Sequence, residues 1–503
     1  MDNLLSLRRN ALVYGLCLPI AILVGYLLAR PNDFRTLAFI GLLMGVLTMP
    51  LLMRWHHAFL ILSWNAALVV PFLPGQTSWW MCLSFISLGF AVLFRIITKR
   101  SDFVSAPSVT FWILVLFFTV LITAKLTGGV GARSIGSLSY GGKRYQYVVS
   151  AIVGYFALIG ARIRSEQATT LAVGFFASGV TSAISEVAYL LGPKFYFLFN
   201  IFPAAFAAGL ASGEQSSLPR FGGTSFAAQA AILALVARYG LRELFNLNRP
   251  WRLALLLLLI GVSLFGGYRS LLIVLLLFFG LQFYFERLAS IRNLAVLAGV
   301  MVLLFTIAVG FGTKLPTSVQ RTLSFLPIQV DDLVRRDSGS TSEWRWLMWK
   351  ALLPEIPKYL LRGKGFAYNG TDMYLTEEAM RRGYYASYEG ALVIGNYHNG
   401  ILTVLIPFGL WGLIALTGFS LASIRVLYFN YKYGAPPLRT INTVLISWFL
   451  ARFVMYLTIY GSFEYDLPFF VGMVGLSLSL NRGVRSAESA VQPGVEEPAQ
   501  TER

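Results

Sequence analysis

Long apolar runs dominate the pattern of hydrophobic and polar positions along this chain of 503 residues. The runs are about 16 to 25 residues long, and about 20 residues of helix are needed to cross the hydrocarbon layer of a membrane. They are rich in Leu, Phe and Ala, and they lack the apolar and polar alternation that strands of a membrane barrel show. The pattern therefore predicts an all-α polytopic transmembrane helical bundle of about 12–14 spans.

Fourteen apolar segments are candidates for these spans. They lie near 11–29, 36–53, 58–73, 79–97, 108–125, 147–162, 168–191, 225–241, 252–267, 270–286, 293–311, 399–425, 440–459 and 467–481. The segment from Lys194 to Ser212 is also apolar, but a span there would invert every later loop. We predict that this segment is re-entrant or interfacial and lines a site, because irregular backbone at membrane depth needs protein or a water-filled cavity around it.

The order of spans and loops predicts five parts. Residues 1–10 form a cytoplasmic N-terminus, 11–311 a transmembrane bundle, 312–397 an extracytoplasmic loop subdomain, 398–481 the C-terminal transmembrane helices and 482–503 a disordered cytoplasmic tail. The first apolar run has no small-residue cleavage signal and is expected to be a retained anchor. In the loop, Ser342–Leu353 carries three Trp residues and is predicted to be a helix on the outer membrane surface.

The composition excludes a soluble protein and argues against a nucleic-acid binder. Hydrophobic residues make up 56% of the chain and charged residues 13%, which is too apolar for a solvated globule. The net charge of +18 comes from 41 Lys and Arg against 23 Asp and Glu, but the cations are scattered through short loops. That distribution follows the positive-inside rule, so the lipid bilayer is the predicted partner of these cations and nucleic acid is not. Cys17 and Cys82 lie in apolar runs and indicate no disulfide or metal site.

His398 is the strongest candidate for acid–base chemistry among the three histidines. It lies in Tyr397-His398-Asn399-Gly400, where the long outer loop ends and the next apolar helix begins. The positive end of a helix dipole favours an anion and disfavours an imidazolium, so a neutral imidazole there is a competent base. The alternative is an ordinary interfacial histidine. His56 and His57, beside Arg54 on the inner side, are predicted to be plain loop residues.

Three arginines near the outer boundary are candidates for holding an anion. Arg269 lies in a very tight link between two apolar runs, and Arg220 precedes a glycine-rich helix start where a backbone can approach a ligand closely. Arg345 precedes Trp349 by one helical turn, so a cation and an aromatic surface share a face that suits a sugar diphosphate. A guanidinium binds phosphate in bidentate fashion. Snorkelling or solvated side chains are the alternatives.

Other charged residues are less informative. Glu186 and Arg452 lie inside apolar runs and should face the bundle interior, each with a partner that the sequence does not identify. The pair Asp331-Asp332 could suggest a metal site, but no third carboxylate or histidine lies at ligand spacing. We therefore predict no metal and no other cofactor.

These features, in this order, resemble the O-antigen ligase and O-antigen polymerase superfamily of bacterial membrane proteins over residues 215–425. The resemblance is carried by the helix start at Arg220–Thr224, the Arg269-Ser270 link, the loop segment Arg345–Leu352, the Gly363-Lys364-Gly365 motif, and His398-Asn399 before a helix with Pro407, Gly409 and Gly412. The chain departs from the usual pattern at Tyr268, where a small residue is common, and at Arg362, which interrupts an apolar stretch. The N-terminal 200 residues resemble the family only in being successive spans.

The resemblance implies a GT-C-like fold and a metal-independent glycosyl transfer from an undecaprenyl-diphosphate-linked glycan to an acceptor hydroxyl. The reaction would take place on the periplasmic face of the bacterial inner membrane. Arg269, Arg345 and Arg220 would hold the diphosphate, and His398 would deprotonate the acceptor. The remaining substrate contacts would come from Asn399, Trp349 and Tyr397. The partners implied are this donor, a glycan or lipid A core acceptor, and polysaccharide export proteins.

Several functions stay open at this point. A ligase moves a finished glycan to lipid A core, whereas a polymerase joins it to another lipid-linked unit, and the long outer loop slightly favours a polymerase. A transporter or flippase of lipid-linked oligosaccharide would also need intramembrane cations, although such proteins often show inverted repeats and broken midplane helices. A structural or signalling membrane protein would leave the outer arginines and His398 unexplained.

Overall fold

The computed structural model describes residues 17, 19–23, 25–26, 34–71, 73, 75–98, 103–131, 139–211, 218–288 and 290–487. Most of the predicted first span at 11–29 and of the predicted tail at 482–503 lies outside these residues. Within them the fold is all-α, as predicted, and the strands are only β1 (Ser139–Tyr140) and β2 (Tyr368–Asn369), which pair antiparallel.

We number the α-helices of the described residues in chain order. They are α1 (Phe34–Ser63), α2 (Trp79–Thr98), α3 (Pro107–Leu126), α4 (Gly142–Ile159), α5 (Ser165–Ala177), α6 (Ile184–Leu191), α7 (Ala208–Ala211), α8 (Gly222–Leu244), α9 (Pro250–Ser263), α10 (Arg269–Phe285), α11 (Ile291–Phe311), α12 (Thr317–Leu323), α13 (Asp332–Leu352), α14 (Ile356–Tyr359), α15 (Gly370–Arg381), α16 (Glu389–Ile394), α17 (Leu402–Tyr433), α18 (Arg439–Thr458) and α19 (Phe463–Asn481). Short 3-10 helices lie at Ser178–Ala183, Pro193–Asn200, Ala204–Phe206, Leu264–Gly266, Gly312–Lys314, Leu353–Glu355 and Pro436–Leu438.

Many of these helices can cross a membrane. Among the described residues, 8 helices are long and apolar enough, and the shorter apolar segments Pro250–Gly266 and Arg269–Phe285 lie between them in the chain. A helix of 20 residues is about 30 Å long, which matches the hydrocarbon layer. The protein is therefore a multi-pass membrane protein, as the hydropathy pattern predicted.

One pair of predicted spans is wrong. The segment at 36–53 and the first part of the segment at 58–73 form a single helix, α1, which ends at Ser63, and the described residues from 64 to 73 are not helical. The prediction placed Arg54, His56 and His57 in a connecting loop, but both histidines are satisfied in helix contacts. His56 Nδ1 lies 2.8 Å from Ser87 Oγ, and His57 Nε2 lies 2.9 Å from the carbonyl oxygen of Leu158. Polar residues with partners on neighbouring helices do not require a break in the helix.

The connections between helices collect at two ends of the bundle. At the loop end, Trp64 after α1 contacts Trp80 of α2, and the carbonyl of Leu126 in the last turn of α3 accepts a hydrogen bond from Arg362 of the long loop. At the basic end, Ile163 N donates to the carbonyl of Ser479 in the last turn of α19. The connections at the basic end, the first residue of α18 and the residues after α19 carry Arg162, Arg164, Arg249, Arg287, Arg439, Arg482 and Arg485.

The core of the bundle lies around α4, α18 and α19. The side chains of Tyr155, Phe449 and Phe470 are among the largest that are fully buried. Glycines let these helices approach their neighbours closely, since Trp64 packs against Gly472 and the side chain of Leu158 packs against Gly475 of α19. This tight packing fixes the helices that support the loop end.

The segment from Lys194 to Ser212 does not cross the bundle. Its described part consists of 3-10 turns and α7, and it stays at the loop end. There the carbonyl of Ile201 accepts a hydrogen bond from Val69 N, and the carbonyl of Gly209 accepts one from Arg220 N at 3.2 Å. The prediction that this apolar segment is not a span is confirmed, and the segment contacts a candidate site residue.

Helix α17 is broken, and the long loop inserts into the break. Pro407 lacks an amide hydrogen, and Gly409 has φ +66° and ψ −165°, a conformation that is essentially restricted to glycine. The break frees backbone groups that loop residues 360–365 bind. The hydrogen-bonded pairs are Lys364 N with Ile406 O (2.8 Å), Gly365 N with Pro407 O (2.9 Å) and Leu410 N with Leu360 O (2.7 Å). Irregular backbone at this depth is stable because neighbouring chain satisfies its polar groups.

We expect Gly409→Ala to destabilise the protein, because a residue with a side chain costs about 1–3 kcal/mol in this backbone conformation. The added Cβ would also lie 2.7 Å from the carbonyl oxygen of Leu360. Thermal unfolding in detergent should show a lower melting temperature. Gly261→Ala on α9 is the control, since open space surrounds that position. Equal melting temperatures for the two variants would contradict this account of the break.

Candidate active site

His398 lies in the turn that joins the long loop to α17. Gly395 and His398 have φ values of +84° and +50°, and the left-handed conformation is uncommon for a residue with a side chain. Asn399 then leads into the helix, since its Oδ1 accepts a hydrogen bond from Leu402 N at 3.1 Å. The predicted location just before a helix N-terminus is confirmed. Such a backbone conformation persists only where the surrounding structure holds it.

The imidazole of His398 packs between two aromatic rings. Its centroid lies 5.4 Å from that of Trp344 and 5.2 Å from that of Tyr460. Its Nδ1 is buried and has no hydrogen-bond partner among the described residues. Burial, together with the nearby charge of Arg345, lowers the pKa of His398 to about 4. The side chain is therefore neutral near pH 7 and can accept a proton.

Arg345 lies beside His398 and has an unneutralised charge. Its guanidinium carbon is 5.7 Å from the ring centroid of Tyr460, and it forms no ion pair with any carboxylate in the described part of the chain. One turn further along α13, Trp349 Nε1 donates a hydrogen bond to the carbonyl of Tyr397 at 2.8 Å. Arg345 and Trp349 thus share a face, as predicted. Trp349 fixes α13 against the turn before His398 and leaves Arg345 available to a ligand.

Arg269 is the first residue of α10 and points toward α13. The tight turn before it is possible because Gly267 adopts φ +67°. Arg269 Nη2 donates to the carbonyl of Ser338 at 2.8 Å and lies 3.3 Å from Ser342 Oγ. These neutral partners orient the guanidinium without neutralising it. Arg269 is also close enough to Arg345 for the two charges to interact.

Arg321, which the sequence analysis missed, joins this turn to α13. It is 4% exposed, its Nη1 donates to the carbonyl of Gly267 at 2.6 Å, and its Nε pairs with Asp337. Nη2 of Arg220 lies 3.7 Å from the same carboxylate. The Nε of Arg220 is buried without a partner among the described residues. Asp337 therefore holds two arginines from different elements near each other.

In the described part of the chain, four guanidinium groups lie at this site, and the one carboxylate among them, Asp337, pairs with Arg220 and Arg321 only. Within the described residues, Arg220, Arg269, Arg321 and Arg345 contribute +4 and Asp337 contributes −1, which leaves +3. Like charges held close together and partly out of water destabilise one another. A diphosphate carries negative charge and accepts the paired hydrogen bonds that guanidinium groups donate. The arrangement is thus suited to bind a phosphorylated ligand. We call these four residues the arginine cluster.

Two predicted substrate contacts, Tyr397 and Asn399, have structural partners in the turn around His398. The side chain of Tyr397 is 1% exposed and packs among Leu352, Leu402 and Ile406. The amide oxygen of Asn399 caps α17. In this structure, the buried ring of Tyr397 supports the turn around His398, and Asn399 joins that turn to the start of α17.

The predicted loop helix at Ser342–Leu353 is the second half of a longer helix. Helix α13 begins at Asp332, because Asp331 caps it by accepting a hydrogen bond from Leu333 N at 2.8 Å. The acidic pair that could have suggested a metal site therefore has a structural role. The exposed Trp346 lies on this helix, as expected for a boundary position.

Both intramembrane charges have identified partners. Glu186 accepts hydrogen bonds from Gly223 N and Thr224 N, each at 2.7 Å, and so binds the N-terminus of α8 beside Arg220. Arg452 Nη2 lies 2.6 Å from Asp466 Oδ1. The predicted orientation toward the bundle interior is confirmed for both. Glu186 also explains how the helix start that carries Arg220 is fixed.

The sequence analysis missed Arg321, Asp337 and Tyr460. The segment 312–397 holds 11 Lys and Arg residues, and nothing in the local pattern separates Arg321 from the solvated ones. Tyr460 lies in a short connection between two spans, where aromatic residues are common. One usable signal was present: Glu464 and Asp466 open an apolar helix, and acidic residues at a membrane boundary need partners. Those acids lie in the first turn of the helix that follows the connection with Tyr460.

The fold and this site define a multi-pass helical membrane protein with a basic cluster next to a neutral histidine. Residues 253–417 match the family described as O-Antigen ligase. This confirms the resemblance to the O-antigen ligase and polymerase superfamily and supports a membrane glycosyltransferase of that type. The matched region contains Arg269, Arg321, Arg345 and His398, whereas Arg220 lies before it. A comparison with curated proteins found no match.

The low pKa of His398 can be tested with diethyl pyrocarbonate, which acylates neutral imidazole. With a pKa of about 4, the acylation rate of His398 should stay constant from pH 7 to pH 5. The acylation rate of an ordinary histidine with a pKa of about 6.5 would fall about 25-fold over this range, as a histidine peptide in the same reaction would show. Site-resolved mass spectrometry gives the rate. A midpoint near that of the peptide would contradict the burial described above.

Proposed function

We propose that this protein transfers or polymerises an undecaprenyl-diphosphate-linked glycan on the periplasmic face of the bacterial inner membrane. The observation that carries the proposal is the arginine cluster with its net positive charge beside a neutral, unpartnered His398. The acceptor would be the hydroxyl of another glycan or of lipid A core. The match of residues 253–417 to the O-antigen ligase family supports this reaction class.

The arginine cluster would bind the diphosphate of the donor. Arg345 has no carboxylate partner in the described part of the chain, and the partners of Arg269 are neutral. Both guanidinium groups are therefore available to pair with an anionic ligand. Pre-placed cations of this kind stabilise the charge that develops as the diphosphate leaves the sugar. We propose that they do so without a metal ion, since the guanidinium groups supply the positive charge.

His398 would take the proton from the acceptor hydroxyl as that oxygen forms the new bond to the anomeric carbon. The bond from the anomeric carbon to the diphosphate oxygen breaks, and the lipid diphosphate leaves with that electron pair. In the protein without donor, the pKa of His398 is about 4, so His398 is a weak base. Bound diphosphate beside Arg345 would raise this pKa, because it would offset the charge that disfavours the imidazolium. Donor binding would thus activate the base, and attack from the opposite face would invert the anomeric configuration.

The charge of the connections supports the proposed orientation. The connections at the basic end, together with the first residue of α18 and the residues after α19, carry seven arginines from Arg162 to Arg485. The positive-inside rule favours a cytoplasmic location for such an end. The loop end, with the arginine cluster and His398, would then face the periplasm. A donor delivered to that leaflet would have its glycan outside and its isoprenoid chain in the bilayer.

The acceptor decides between a ligase and a polymerase. A polymerase leaves its product on a lipid diphosphate, whereas a ligase leaves it on lipid A core. Analysis of the lipid attached to the product therefore separates the two. Polysaccharide export proteins would act on the product in either case.

A transporter of lipid-linked oligosaccharide is the competing function. Turnover of donor by protein purified in detergent, with no membrane gradient, would exclude a purely transporting protein. The position of His398 at the loop end, and not at the bilayer midplane, favours chemistry at the surface over translocation.

We expect His398→Ala to lower turnover by about 10²–10⁴, the usual contribution of a general base. Arg269→Lys should also impair turnover, since it keeps the charge but removes the bidentate geometry. Cells with either variant should accumulate lipid-linked glycan and lose surface polysaccharide. The control is Arg336→Lys, an exposed position next to Asp337 on α13. Normal polysaccharide in both site variants, at equal protein levels, would refute the proposal.

A further inference from the structure

Strand β1 and the start of α4 contact the middle and the end of the long loop. Tyr140 of β1 stacks on Tyr368 of β2 with ring centroids 5.6 Å apart. The hydroxyl of Tyr145 accepts a hydrogen bond from Phe366 N at 3.0 Å. Residues 139–145 therefore form a docking segment for the loop, although they lie far before it in the chain. This segment is outside the region that matches the O-Antigen ligase family, residues 253–417.

Arg144 is the central side chain of this docking segment. Its Nη1 donates to the carbonyl of Ile394 at 2.6 Å, and its Nη2 donates to the carbonyl of Gly395 at 3.1 Å. Its Nε forms an ion pair with Glu464 of α19 at 2.8 Å. The guanidinium also lies 4.1 Å from the ring centroid of Phe366. One buried arginine thus joins α4, α19 and the turn that precedes His398.

The position of this turn decides where His398 lies. Gly395 has φ +84°, and the chain reverses direction there. Two residues later the carbonyl of Tyr397 is held by Trp349, and Gly400 N donates to the carbonyl of Tyr456 at 3.1 Å. The segment 394–400 is therefore fixed at its start, its middle and its end, and Arg144 supplies the contact at the start.

We propose that Arg144, paired with Glu464, is a positioning residue that holds the Ile394–Gly395 turn and so places His398 next to the arginine cluster. This inference rests on the proposed function, because it assigns to Arg144 an effect on a base that acts on the acceptor. It also means that the N-terminal half of the chain completes the site.

The chemistry of the contact requires an arginine. The planar guanidinium offers five donors in a fixed fork, and here it serves two carbonyls and one carboxylate at once. A lysine would keep the charge and could keep the pair with Glu464. It could not reach both carbonyls in the same geometry, so the turn would lose one of its supports.

The test uses the full-length protein with Arg144→Lys. Two quantities are measured: turnover of lipid-linked donor, and the pH midpoint of His398 acylation by diethyl pyrocarbonate. We expect turnover to fall about tenfold or more with donor KM within about twofold of the native value. The acylation midpoint should move from about 4 toward the ordinary value of about 6.5.

The matched control is Arg252→Lys. Arg252 is also buried, is paired with Glu243 at 3.2 Å and lies 4.1 Å from the ring centroid of Tyr239, but these contacts are at the basic end of the bundle. This variant should leave the acylation midpoint and turnover unchanged. The proposal is overturned if Arg144→Lys matches the native protein in both measurements, or if Arg252→Lys has the same effect.

A second variant covers the case in which Arg144→Lys fails to fold. Gly395→Ala keeps every charge and would place a Cβ 2.9 Å from Nη1 of Arg144, which should displace the turn. It should shift the His398 midpoint in the same direction, and an unchanged midpoint would count against the proposal. The acylation measurement needs no donor. It therefore tests the positioning role of Arg144 even if His398→Ala retains full turnover and the proposed function fails.

Discussion

The site depends on one electrostatic constraint: several guanidinium groups are held close together at the boundary of a membrane with too few carboxylates to neutralise them. Placing a charged group at such a position costs folding free energy, and the repulsion between like charges adds to that cost. The structure limits this cost with Asp337 and with neutral donors and acceptors such as the Ser338 carbonyl. The remaining positive charge is available to an anionic ligand, and burial together with the charge of Arg345 lowers the pKa of the neighbouring His398 and keeps it neutral. Under the proposed function, binding of the anion and activation of the base would be coupled through the charge of Arg345.

Other elements of the fold hold the arginine cluster and His398 in place. Helix α17 is broken at Pro407 and Gly409, and the loop completes the hydrogen bonds that the break leaves open. Glu186 fixes the start of α8 next to Arg220, and Arg144 fixes the turn before His398 from the opposite side. The long loop is thus built into the bundle at several points, and contacts with α3 and α4 hold Arg362 and Ile394 across 236 and 250 residues of sequence. A site in which like charges repel one another requires a rigid support of this kind.

The sequence predicted the helical class, the main spans, the boundary position of His398 and three members of the arginine cluster. These follow from local properties, since apolar length, a helix start and a cation in a tight link are visible in a single segment. It did not predict Arg321, Asp337 or Arg144, because their importance comes from partners distant in sequence. It divided α1 at Arg54–His57, because side-chain partners on α2 and α4 could not be foreseen. It also assigned Tyr397 to the substrate, although packing buries that ring.

The proposed ligand of the arginine cluster is the diphosphate group of a lipid. The most direct measurement is calorimetric binding of farnesyl diphosphate and farnesyl monophosphate to the protein in nanodiscs, with Arg345→Lys and Arg336→Lys for comparison. We expect the native protein and Arg336→Lys to bind the diphosphate about tenfold more tightly, or more, than the monophosphate. Arg345→Lys should lose most of that preference. Equal affinity for the two lipids in the native protein, or an unchanged preference in Arg345→Lys, would contradict it.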